Sequence, residues 1–271
     1  MIPVVEIRRY MAGGSAPPGR VLARIAARQH GVVCRAQILA LGVHRSWIDD
    51  GLAAGRLHQV HAGVYAVGHA SLTEKGRWSA AVLAGGDRAA LAYWDAASLL
   101  AIADRRLGRP HVVVPGDGGH HRPGLALHRT RHLPAEHVTE VDGIPVTTAH
   151  RTLLDLAAIA PVTALRFAVE GAEREGLLDV PEMVRLCDGS PGRRGTGRLR
   201  RIALEQRGPI SRTKSPPERT FLRACIRRGL PEPLVNTMLH GYEVDFRWPA
   251  ANLVVEIDSY TYHRSWPQRK R

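Results

Sequence analysis

The apolar positions of the chain switch between helical and strand spacing, and the switches mark its elements. RVLARIAARQHG sets Val21, Leu22, Ile25 and Ala26 on one helical face, and Gly31 stops the helix. VVCRAQILALGV predicts a second short helix with a glycine stop. HRSWIDDGLAAG predicts a third, with Ser46 as its cap and Trp47, Ile48 and Leu52 facing inward. RLHQVHAGVYAVG alternates in the strand manner around a turn at His61, Ala62 and Gly63. TEKGRWSAAVLAGGDRAALAYWDAASLLAI then gives two helices, the second carrying Trp94, Ala97, Leu99 and Leu100. RPHVVVPGDGGHHRPGLALHRTRHL predicts a hairpin, with VVV as a buried strand and LALHRT as its return. DGIPVTTAHRTLLDLAAIA predicts a strand and a helix capped by Thr148, and VTALRFAVEGAEREGLLDVPEMVRLCDG two further helices. SPPERTFLRACIRRGLPEP predicts a helix capped by Ser215 with Pro216 in its first turn, an apolar stripe of Phe221, Leu222, Cys225 and Ile226, and a stop at Gly229. VNTMLHGYEVDFRWPAANLVVEIDSYTYH supplies three strands, near 235–239, 242–248 and 253–258.

Three short helices followed by a small hairpin is the order of a winged helix-turn-helix. The expected organisation is a disordered leader over 1–19, a winged helix-turn-helix over 20–70, an α+β middle domain over 71–189, a basic linker over 190–214 and a smaller α/β domain over 215–271. Met11 is a second possible start.

Composition sharpens this reading. The 271 residues are 44% hydrophobic, enough for packed cores, and Lys+Arg 38 against Asp+Glu 25 leaves a net charge of +13. That excess points to a polyanion such as nucleic acid; a GC-rich genome's preference for Arg is the competing source. Cys34, Cys187 and Cys225 lie far apart with no CxxC, which fits a reducing cytosol and argues against a zinc ribbon or disulfide framework. No signal peptide or membrane-spanning run is legible, so the expected location is cytoplasmic.

In a winged helix the third helix enters the major groove and the wing lies along the backbone. The DNA-contacting candidates are therefore His44, Arg45 and Ser46 on the helix, with Arg56, His58 and His61 on the wing. Asp49 and Asp50 bring negative charge to the same helix, and a three-helix core used for protein contacts is the alternative. His120, His121, His128 and His132 lack the spacing of a metal motif and read as a polar hairpin. Arg193, Arg194, Arg198, Arg200 and Arg201 are either a solvated face or a phosphate contact.

The last strands pose a different question, because they carry acids. Val244 and Phe246 share one face of their strand, so Glu243 and Asp245 share the other; in the next strand Glu256 and Asp258 share a face. Asp245 and Glu256 can converge on one side of a hairpin, with Glu218 arriving from the preceding helix. Clustered carboxylates suit Mg²⁺ or Mn²⁺, which could activate water against a phosphodiester. Pairing of the acids with nearby arginines is the alternative.

HGVVCRAQILALGVHRSWIDDGLAAGRLHQVHAGVYAVG, within residues 20–70, resembles the N-terminal domain of AbiEi-type antitoxins, the DNA-binding halves of type IV toxin–antitoxin systems. IPVTTAHRTLLDLA resembles the second part of AbiEi-like proteins. SPPE, YEVDF, VVEID and YTYH, over residues 211–265, resemble a domain of unknown function related to very-short-patch-repair (Vsr-like) endonucleases, within the PD-(D/E)XK nuclease superfamily. The nuclease resemblance implies a partial restriction-endonuclease-like α/β fold. It implies Asp245 and Glu256 as metal ligands, Glu218 as a supporting acid, and His263 as a base or phosphate contact. Asp258 completes the catalytic set, at the position where the superfamily usually has Lys, and Ser259 follows where this family usually has Gly. Related domains continue past this histidine with a basic helix and another strand, so Arg271 as the last residue implies a truncated, impaired nuclease. The resemblances together imply a DNA-binding protein acting on double-stranded DNA. Its C-terminal part would be a Mg²⁺-dependent endonuclease-like domain, and a cognate toxin is a possible partner. The alternative is a non-catalytic, antitoxin-like transcriptional repressor.

Overall fold

The computed structural model describes residues 1–12, 16–104, 108–116, 122–206, 213 and 215–257. It is a mixed α/β chain with three sheets and eleven α-helices among the described residues. The chain divides into two compact units, Met1–Asp179 with Leu186–Leu199, and Val180–Arg185 with Arg200–Arg271.

The first unit opens with α1 (Val4–Ala12), where a disordered leader was expected. Ile7 is 3% exposed and joins Val21, Leu22, Ile25, Val33, Ile38 and Ile48 in one cluster. The backbone of Ile2 is held from both sides: its N–H donates to Gln29 Oε1 at 2.9 Å and its carbonyl accepts from Gln37 Nε2 at 2.8 Å. Burial of one isoleucine and two side-chain hydrogen bonds are what the leader's composition did not reveal.

Next come α2 (Pro18–Arg28), β1 (Val32–Cys34), α3 (Arg35–Leu39), α4 (Ser46–Ala53), β2 (Leu57–His61) and β3 (Val64–Val67). The expected second helix is thus a strand and a helix. Val32 and Val33 are fully buried on opposite faces of β1, and β-branched residues buried on both sides favour the pleat. The strands form an antiparallel sheet in the order β1-β3-β2. The helix α4 starts at Ser46 rather than being capped by it; the Ser46 hydroxyl instead lies 3.0 Å from His44 Nδ1.

The helix α5 (Glu74–Gly85) is buried on nearly every side: Trp78, Ser79, Ala80, Ala81, Val82 and Ala84 are all at most 5% exposed. From Trp78 onward the helix carries no charge on any side, and such a stretch needs cover all round. One face meets Val32, Val64 and Ala66 of the first sheet; another meets Leu91, Val112, Ile144 and Val146 of a second sheet. That sheet contains β4 (Ala90–Leu91), β5 (His111–Pro115), β6 (Ala126–Thr130), β7 (Val138–Val141) and β8 (Ile144–Thr147) in the order β6-β5-β4-β8-β7. Its β5 and β6 run parallel, with His111 opposite Ala126 and Val113 opposite His128, not as the expected hairpin. The connection from Gly116 to Leu125 is long enough for this: a five-residue strand spans about 17 Å and ten extended residues reach about 33 Å. Beyond this sheet, α6 (Tyr93–Leu99) packs on β5, α7 (Ala149–Ile159) on α6, and α8 (Val162–Arg174) on α7. The Thr148 hydroxyl caps α7 by accepting from the Arg151 N–H at 3.4 Å. Gly171 in α8 lets that helix approach the Ile102 carbonyl where any Cβ would overlap it.

The helices α9 (Val180–Asp188) and α10 (Thr196–Glu205) follow. In the second unit, α11 (Pro216–Arg227) packs on an antiparallel sheet of β9 (Leu234–Leu239), β10 (Tyr242–Trp248) and β11 (Leu253–Val255), in the order β11-β10-β9. Ser215 Oγ accepts from the Glu218 N–H at 3.3 Å and starts the helix as its sequence indicates. Leu222, Cys225, Val235, Phe246 and Trp248 form the core, with Phe221 against Phe246 at 5.1 Å between ring centroids. Ile226 falls off the expected apolar stripe and is exposed.

Candidate functional site

The residues proposed to meet DNA occupy two settings. His44, Arg45 and Ser46 are exposed at the start of α4, and Arg56 is exposed ahead of β2. His58 is half-buried opposite Ala66. His61 is not a free wing-tip residue. Its ring lies beside Gly124, where a Cβ would stand 3.4 Å from Cε1, and burial lowers its pKa while a hydrogen bond to the Pro123 backbone opposes that shift. The turn after β2 is also held down, because the Arg35 N–H donates to the Gly63 carbonyl at 2.7 Å. Asp49 and Asp50 are exposed on α4 beside these groups.

The arginine cluster resolves into separate roles. Arg151 and Asp155, one helical turn apart on α7, form a buried ion pair at 2.9 Å with side chains 3% and 1% exposed. Arg193 reaches the same Asp155 oxygen, and Arg198 donates to the Ala157 carbonyl in the last turn of α7, where a cation meets the negative end of the helix dipole. Gly195 passes so close to Ala157 that a Cβ would overlap its carbonyl, and its φ of +86° adds a second requirement for glycine. Arg193 and Arg198 therefore fasten residues 190–199 to α7, in place of the expected linker face. Arg194, Arg200 and Arg201 remain exposed.

Over the second sheet lies a group that spacing did not reveal. His111 and His128 share a face on neighbouring strands, with Nδ1 of the first 3.0 Å from Nε2 of the second. Tyr93, itself at a φ of +53°, packs against His128 with ring centroids 4.0 Å apart and the planes tilted by 30°. His111 went unnoticed because its partner sits on a strand expected to run the other way. Burial lowers both imidazoles, and His111 lowers His128 further, to about 4. Burial also raises the Tyr93 phenol, as does the charge of Asp155. Below the ordinary histidine value of about 6.5 the unfolded chain binds a proton that folded His128 refuses. Stability should thus fall as the pH drops from about 6.5 towards 4. Chemical denaturation across that window should show a shallower decline for His128→Asn than for the native chain. His132 packs edge-on to His137 at 6.1 Å, away from any metal motif; His120 and His121 lie outside the described residues.

In the second unit the strand register brings Asp245 opposite Glu256, because Phe246 pairs with Val255. Each carboxylate accepts from the facing strand: Asp245 Oδ2 from the Ile257 N–H at 2.7 Å, and Glu256 Oε2 from the Asp245 N–H at 3.4 Å. Val244 and Phe246 do face the core, leaving Asp245 on the other side of the strand. Glu218, 6% exposed, accepts instead from Asn236 Nδ2 at 3.3 Å. Among the described residues no group of three or more His, Cys, Asp or Glu could hold a metal ion. Asp258 and His263 lie outside the described residues. Asp245 and Glu256 fit Mg²⁺ at the minimum, since that ion binds through one or two carboxylates and keeps several waters.

Residues 89–201 match the family model of the AbiEi antitoxin C-terminal domain. The matched segment runs from the start of β4 into α10 and contains the Tyr93, His111, His128 group and the Arg151–Asp155 pair. It stops short of the acidic strands. A crystal structure of the RV2827C protein from Mycobacterium tuberculosis is similar at 20% identity, covering 70% of this chain and 78% of that one with a TM-score of 0.46. No curated protein matches the chain. No helix among the described residues is long and apolar enough to cross a membrane.

Proposed function

We propose that this protein is an antitoxin-like DNA-binding protein: a winged helix over 20–70 contacts duplex DNA, and the domain over 89–201 engages a cognate toxin protein. The carrying observation is the family match over 89–201. The order of helix, strand, two helices and two strands before it, and the exposure of Arg45 and Arg56, support the DNA-binding half. The +13 net charge supplies the long-range attraction. Arg45→Ala should weaken duplex binding in a gel shift by about 1 kcal/mol or more if Arg45 meets a base edge or a phosphate. Full-length protein that leaves duplex DNA unshifted at low salt would overturn the DNA-binding half, and undiminished binding by Arg45→Ala would overturn the role of α4.

A second reading rests on the facing pair Asp245 and Glu256. In it the second unit holds Mg²⁺ or Mn²⁺ for phosphodiester hydrolysis, with Glu218 supporting. The ion would supply an activated water and charge for the developing phosphorane. Nicking of supercoiled plasmid should then need the metal and be abolished in Asp245→Ala and Glu256→Ala, with duplex binding little changed. Cleavage that survives either substitution would remove this reading.

A further inference from the structure

His111 and His128 meet through a hydrogen bond between their rings. They project from the same face of β5 and β6, and their inner nitrogens are 3.0 Å apart. Two imidazole nitrogens bound to one zinc at about 2.0–2.1 Å, at the tetrahedral angle, stand about 3.3 Å apart. The observed spacing is within a few tenths of an ångström of that. The rings are near-parallel, 16° apart, and Tyr93 is tilted against both, by 45° to His111 and 30° to His128, so packing on one side orients them. Asp95 holds the base of the first ring: its Oδ2 accepts from the His111 backbone N–H at 2.8 Å, while Oδ1 accepts from Trp78 Nε1 at 2.8 Å.

We propose that His111 and His128 are the two protein ligands of a borderline transition-metal site, with Zn²⁺ as its occupant. Binding replaces the N–H···N hydrogen bond between the rings. The bridging proton moves through solvent to the outer nitrogen of its own imidazole, leaving a lone pair on each inner nitrogen. No electron is transferred, and water fills the positions that the two imidazoles leave, one more than at an open zinc site with three protein ligands. The ion ties β6, at the end of the sheet order, to β5. An ion that binds only the folded chain raises its stability by mass action.

The test uses the full chain, freed of metal by a chelator and titrated with Zn²⁺ by calorimetry and by thermal melting. One ion per chain and a saturable rise in melting temperature are expected. His111→Asn and His128→Asn should each weaken binding. Loss of outer-shell partners alone costs about 10–100-fold in affinity, and loss of a ligand should cost at least that. His132→Asn should bind as the native chain does. Cu²⁺, which such ligands hold more tightly than Zn²⁺, gives a readout that needs no variant: hyperfine coupling to two imidazole nitrogens in its paramagnetic resonance spectrum. Coupling to fewer than two nitrogens overturns the proposal. So does unchanged affinity in both asparagine variants, which would mean an adventitious ion only.

Discussion

Asp155→Ala should cost about 3–5 kcal/mol of stability, because it leaves a buried charge without its partner. The Arg151 side chain is 3% exposed, and Arg193 loses the anchor that holds residues 190–199 to α7. Arg151 also donates to the His132 carbonyl at 3.1 Å, so its guanidinium cannot turn away without breaking a second contact. The loss should appear as a lowered denaturation midpoint with an unchanged slope. Replacing Arg151 and Asp155 together by apolar residues of similar volume should recover much of it, since a buried pair is often no more stable than its hydrophobic replacement. A cost below about 1 kcal/mol for Asp155→Ala would mean that the triad is hydrated, and the fastening assigned to it would fail.

Residues 20–70, cut out alone, should not fold. The segment contains every element of the winged-helix pattern, and by sequence it reads as independent. In the structure Val32, Val64 and Ala66, each at most 1% exposed, are buried against Trp78, Ala80 and Ala81 of α5, and Ile7 of α1 closes the other side of the core. Excision exposes both faces. A fragment of about 50 residues has little surplus stability to offset that loss. Its thermal trace should lack a cooperative transition, while the full chain shows one. A cooperative melt from the fragment would contradict the shared core around α5.

These two expectations show where the sequence is readable. Local chemistry carried far: the Thr148 and Ser215 caps, the turn after β2, and the alternation that buries Val244 and Phe246 stand where the residues put them. The same two-residue period puts Asp245 off the core face, and the register of the two strands sets it opposite Glu256. What was hidden depends on partners distant in the chain. Nothing in HVVV or LALHRT marks parallel rather than antiparallel pairing, so the meeting of His111 with His128 could not be seen. The short run VVC has no length to separate strand from helix, and only burial on both faces decides it. For Arg193 the sequence offers a solvated face or a phosphate contact, and neither holds because Asp155, 38 positions earlier, is brought to it only by the fold.

The measurement that bears most directly on the account is the salt dependence of duplex binding by the full-length protein, followed by fluorescence anisotropy. The account predicts that the logarithm of the affinity falls linearly with the logarithm of salt concentration. Arg56→Ala should weaken binding about evenly across DNA sequences and reduce the slope by about one. Arg45→Ala should weaken it further, with a stronger effect on the preferred sequence if that side chain reaches a base. Binding that is absent at low salt, or that neither substitution changes, would contradict the placement of DNA on α4 and the strand that follows it.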